Sequence, residues 1–115
     1  MMVLVDTSIW IDHFRKGNMK LITLLLNDQV LCHPFIIGEV ACGNFKNRNE
    51  IIALLHALPK LPLIADSEVL YFINEKKLYG KGIGWIDAHL LASSCMNGCS
   101  LFTLDKRLSQ LTQAI

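Results

Sequence analysis

The chain has 115 residues, 52% of them hydrophobic and 18% charged, with a formal net charge of +1. That length makes one domain, which buries about two-thirds of its unfolded surface and needs no staples. The near-neutral total excludes a polyanion binder defined by bulk charge, so any phosphate affinity is local. The absence of an apolar run of about 18 residues or a basic leader before an apolar core predicts a cytoplasmic protein without membrane contact.

Met1 to Val5 is apolar throughout, the pattern of a strand buried on both faces of a parallel sheet. It ends on Asp6, at the strand end where such sheets place their ligand crevice. Thr7 or Ser8 caps a helix that runs to Arg15-Lys16 and stops at Gly17. Asn18 caps a second helix, and Asn27-Asp28 turns the chain into a strand from Gln29 to Cys32. Pro34 opens a third helix, Phe35 to Cys42, which carries Glu39 and closes on Gly43. Arg48 to Leu58 is a fourth helix. Leu61 to Ala65 reads as a third strand, at an edge because Pro62 has no donor. Asp66 or Ser67 caps the next helix, Gly80 to Gly84 is a glycine-rich loop, and Trp85 to Met96 is a sixth helix ended by Asn97-Gly98. Ser100 to Leu104 is a fourth strand that again terminates on an acid, Asp105, before a short helix from Lys106.

Strands alternating with helices predict an α/β fold, a three-layer sandwich around a central parallel sheet of four to five strands, in one domain over residues 1 to 115. With the fourth strand on the far side of the first, Asp6 and Asp105 face each other across the switch point.

Asp12, Asp28, Glu50, Asp66, Glu68 and Glu75 lie in turns or on polar faces, where solvation accounts for them. Asp6, Glu39, Asp87 and Asp105 have apolar neighbours, and a buried carboxylate needs a cation. Lys106-Arg107 adjoins Asp105, but no base adjoins the other three. Hard oxygen donors from several segments select Mg2+ or Mn2+, one or two ions, whose remaining ligands come from a phosphodiester or phosphoanhydride. Each acid alone is also explicable as a cap or a satisfied core group. Asp87, in the first turn of its helix, gains about 0.3–1 kcal/mol from the helix dipole without any metal. Cys32, Cys42, Cys95 and Cys99 read as reduced core thiols, and Cys32, His33, Cys95 and Cys99 lack the spacing of a zinc site. His89 reads as packing, and Trp10 and Trp85 as core or partner contacts.

The blocks VDTSIWIDHFR at 5–15, HPFIIGEVACG at 33–43, GKGIGWIDAHLLAS at 80–93 and LFTLDKRL at 101–108 resemble the PIN-domain ribonucleases, most closely the VapC toxins of toxin-antitoxin pairs. The resemblance implies an endoribonuclease that hydrolyses RNA to 3′-hydroxyl and 5′-phosphate ends. It also implies a homodimer held inactive by a VapB-type antitoxin, meeting operator DNA only through the antitoxin complex. Carried over by position, Asp6, Glu39, Asp87 and Asp105 are its catalytic acids and metal ligands, with Thr7, Ser8 and Thr103 supporting them. Arg15, Lys16, Lys106 and Arg107 are candidates for a basic rim that holds RNA, or are solvated helix ends. The rivals are a receiver-like phosphate-signalling domain, which would need paired acids after the first strand, and a non-catalytic partner-binding module.

Overall fold

A computed structural model describes residues 1–115. In chain order the elements are β1 (Val3–Val5), α1 (Thr7–Lys16), α2 (Met19–Leu26), β2 (Val30–Leu31), α3 (Pro34–Ala41), α4 (Arg48–Ala57), α5 (Asp66–Glu75), α6 (Trp85–Met96), β3 (Ser100–Phe102) and α7 (Lys106–Ala114). The sheet is parallel with order β2-β1-β3. Leu4 of the central strand stands opposite Leu31 on one side and Leu101 on the other. Successive side chains of a strand point to opposite faces, and Leu4 and Val5 are both fully buried, so helices cover the sheet on both sides. The expected crossover of the last strand to the far side of the first is present.

The sheet has three strands, not the four to five expected. Leu61 to Ala65 does not become a strand. Cys32 N donates to Pro59 O at 2.8 Å and Leu61 N to Cys32 O at 3.0 Å, which makes one parallel bridge at Lys60. Pro62 then has no N–H to continue the ladder, and Leu63 is left exposed. The other strands are shorter than their apolar runs, and Met1 is exposed rather than buried.

Local chemistry fixes the helix ends. Asn18 Oδ1 accepts from Leu21 N at 2.9 Å, and His33 Nδ1 accepts from Phe35 N at 3.0 Å with Pro34 as the first helical residue. Helix α6 closes with Gly98 at φ 64, where Gly98 N reaches Cys95 O and Cys99 N reaches Ser94 O. Two expected caps move by a residue or two: Asp6 rather than Thr7 or Ser8 precedes α1, and Ala65 rather than Asp66 or Ser67 precedes α5.

Helix α6 is apolar on nearly every side, and its residues from Ala88 through Ser94 are all buried beside the sheet. This carries its N-terminus, with Asp87, to the carboxyl ends of the strands. Two of the four thiols depart from the core-thiol reading: Cys32 is buried and Cys99 half-buried, but Cys42 and Cys95 are exposed, and all four are free. No helix is long and apolar enough to cross a membrane.

Candidate active site

Asp6 follows directly from β1, its backbone N–H held by Phe102 O at 2.9 Å, so the central strand pairing places it at the β1/β3 switch point. Its side chain is 7% exposed. Its Oδ2 accepts from Ser8 Oγ at 2.8 Å and from Thr103 Oγ1 at 2.8 Å. Ser8 Oγ also accepts from Leu104 N at 3.0 Å, and Thr103 Oγ1 from Asp105 N at 3.1 Å. Two of the three supporting hydroxyls expected from the sequence, Ser8 and Thr103, therefore knit β1, α1 and the turn after β3 around one carboxylate. The third of them, Thr7, donates to Glu39 Oε1 at 2.9 Å and ties the start of α1 to α3.

Asp87 lies in the first turn of α6, half-buried. Burial raises its affinity for a proton, and the charges of Asp6 and Asp105 raise it further against the lowering effect of the Gly84 backbone. Burial likewise raises the Glu39 carboxyl, the Thr7 hydroxyl lowers it, and the charges of Asp6 and Asp87 raise it again. The four acids thus act on one another as a single electrostatic group. Neither ion pair in the chain, Lys16–Asp12 at 3.5 Å and His89–Asp66 at 3.1 Å, involves any of them.

The structure corrects one premise of the sequence reading. Apolar neighbours do not bury all four acids: Glu39 and Asp105 are exposed, and Asp105 caps α7 by accepting from Leu108 N at 3.1 Å. On a helix, adjacent residues face different directions, so Ile37 and Val40 can be buried while Glu39 is not. Among the four basic candidates, Arg15, Lys16, Lys106 and Arg107 are all exposed. Lys16 pairs with Asp12, and the Arg107 side chain lies against Gly82, whose φ of +81 and missing Cβ make room for it. Trp10 is core, whereas Trp85 is exposed.

His33 and His89 are both buried. His89 stacks edge-on against Phe35 and Trp85 and meets Asp66 through Nε2. Burial, then the charge of His89, hold His33 down at about 4, so it is neutral and its Nδ1 caps α3. Asp66, bonded to His89 in the first turn of α5, is no phosphate acceptor at a strand end, and only hydroxyls follow Asp6. The receiver-like reading is therefore not favoured.

As the side chains stand, no three His, Cys, Asp or Glu groups converge on one point, which also leaves the zinc arrangement of Cys32, His33, Cys95 and Cys99 unformed. The donor chemistry of the four acids still fits a hard divalent cation. All their ligand atoms are carboxylate oxygens, no lysine or arginine neutralises them, and their mutual repulsion favours a shared cation.

The same repulsion gives a stability prediction. Without metal, Glu39 and Asp87 hold protons more tightly folded than unfolded, so the folded state binds more protons above their ordinary values of 4.5 and 3.8. Stability from these groups is full below those values and is lost as pH rises through the higher folded ones. In a chelator, Glu39→Gln and Asp87→Asn should each melt above the wild type at pH 7, and the difference should vanish near pH 3.5. Thermal melts followed by circular dichroism read this directly, and variants that melt lower at pH 7 would contradict it.

The PIN domain model matches residues 3–113. Ribonuclease VapC32 of Mycobacterium tuberculosis, in the CDC 1551 / Oshkosh and H37Rv strains alike, is 43% identical over 108 residues, covering 93% of this chain and 87% of that protein. The crystal structure of PAE2754 from Pyrobaculum aerophilum superposes with a TM-score of 0.71 at 16% identity, covering 98% of this chain and 86% of that one, which speaks to the fold alone. With the matched model spanning all three strands and both acid-bearing helices, the chain belongs to the PIN-domain family, as a homologue of the VapC proteins.

Proposed function

We propose that this chain is a metal-dependent endoribonuclease toxin, neutralised by a VapB-type antitoxin. The observation that carries the reading is the gathering of Asp6, Glu39, Asp87 and Asp105 into one electrostatic group with no basic partner, in a homologue of Ribonuclease VapC32. These four residues would hold one or two Mg2+ or Mn2+ ions. A divalent ion bound there supplies Lewis-acid polarisation of the phosphodiester and a water of lowered pKa.

The chain's own residues do the positioning. Ser8 and Thr103 fix Asp6 through Oδ2 and leave Oδ1 without a hydrogen-bond donor. Thr7 orients Glu39, and the α6 N-terminus favours the charged form of Asp87. Arg15, Lys16, Lys106 and Arg107 would hold phosphates at the rim, where exposed cations offset the acidic mouth for a polyanion. Exposed Leu63, Leu70, Tyr71 and Trp85 are surface for protein partners, a second copy and the antitoxin, and operator DNA would be met only through the antitoxin complex. The protein would act in the cytoplasm, where its substrate is.

The test is cleavage of single-stranded RNA by the purified chain freed of antitoxin. Cutting within the strand should need added Mg2+ or Mn2+, leave 5′-phosphates, and stop in a chelator. Cleavage that survives exhaustive chelation would contradict the metal-dependent reading.

A further inference from the structure

A groove of about 330 Å3 is lined by β3, Val3 of β1, the start of α2 and α7. Its walls include Lys20, Phe102, Thr103, Ser109, Thr112 and Gln113. Thr103 borders both places, since it lines the groove and its hydroxyl donates to Asp6 Oδ2 at 2.8 Å. The groove therefore adjoins the active site. From Thr103 back to Ser100 it follows three strand steps, about 10 Å.

Its chemistry is the reverse of the acidic centre. No carboxylate lines it, and its single charge is the ammonium of Lys20, which forms no ion pair and sits 4.4 Å from the centroid of the Phe102 ring. Ser109 and Gln113 add polar groups, while the Thr112 hydroxyl is engaged with Ser109 O at 2.6 Å. A cation held on an aromatic face beside hydroxyls, free of acids, suits a sugar-phosphate backbone. A polyanion cut at Asp6 is repelled by the four acids and needs an attractive path away from them. This groove begins where that path must begin.

We infer that the groove bounded by Lys20, Phe102 and Ser109 is a subsite for the RNA strand on one side of the scissile phosphate, with Lys20 gripping a backbone phosphate. The assignment rests on the nuclease reading above. Lys20 acts on binding and not on the reacting atoms, so its loss falls on KM.

The test is steady-state cleavage of a single-stranded oligoribonucleotide by the wild type, K20M, K20R and a control, K60M, across a range of salt. Lys20 is exposed, and methionine preserves the stem over the ring. Lys60 lies away from the groove, its ammonium on His56 O at 2.6 Å. K20M should raise KM about five- to tenfold with little change in kcat, and the slope of log KM against log salt should fall by about 0.7. K20R should restore both, and K60M should match the wild type. An active wild type with K20M unchanged in KM and salt slope overturns the subsite alone. The same result with weakened antitoxin binding by K20M gives the groove to a protein strand and also overturns it. A wild type that leaves RNA intact under all conditions overturns the nuclease reading, and the subsite falls with it.

Discussion

Asp87→Asn should reduce RNA cleavage by roughly 10²- to 10⁴-fold, because the metal-ligand role proposed for Asp87 would supply several kcal/mol of transition-state stabilisation. The loss should appear in kcat and kcat/KM together, the sign of an interaction realised in the transition state. That separates it from the Lys20 substitution, which acts on KM. Folding should not suffer. Asparagine keeps the shape and a polar group at the α6 N-terminus while removing a charge that Asp6 and Asp105 oppose. Steady-state kinetics on matched, folded samples check the prediction, and an Asp87→Asn variant that cleaves at the wild-type rate would place the chemistry elsewhere.

Leu4→Ala should do the opposite, costing the fold and not the chemistry. Leu4 is fully buried on the central strand, between Leu31 and Leu101 of its two neighbours and two residues before Asp6. Its truncation leaves a cavity in the one strand that every layer packs against, for a loss of about 2–5 kcal/mol. In a domain of this size that lowers Tm by about 10–20 °C, a large share of the total stability. Urea or thermal unfolding measures it. Activity at low temperature should survive better than in Asp87→Asn, since the carboxylates remain. A loss under about 1 kcal/mol would mean that the site can collapse around the cavity.

Much of this arrangement is legible in the sequence, and the exceptions have physical causes. Helix α6 has its expected bounds, Trp85–Met96, because Gly84 before it and Asn97-Gly98 after it mark both ends chemically. Asp6 is legible because an apolar run ending on an acid has few alternatives to a strand end. Leu61 to Ala65 is misleading because its composition suits a strand, but pairing needs a donor that Pro62 lacks. The exposure of Glu39 is hidden by apolar sequence neighbours that face the core from other sides of its helix, and that of Asp105 by Leu104, which is itself exposed. The mutual hold of Ser8, Thr103 and Asp6, and the contact of Lys20 with Phe102, join segments from opposite ends of the chain. No local pattern encodes them, and only the β1/β3 pairing brings them together.

The central claim is that four uncompensated carboxylates gather a divalent ion and cut RNA with it. The most direct measurement is cleavage of one single-stranded RNA by chelated protein before and after Mn2+ is restored, with Asp87→Asn alongside. The account predicts no cleavage in chelator, recovery in the wild type on adding Mn2+, and none in Asp87→Asn. Equal cleavage by the wild type with and without metal, or recovery in both proteins alike, would contradict it.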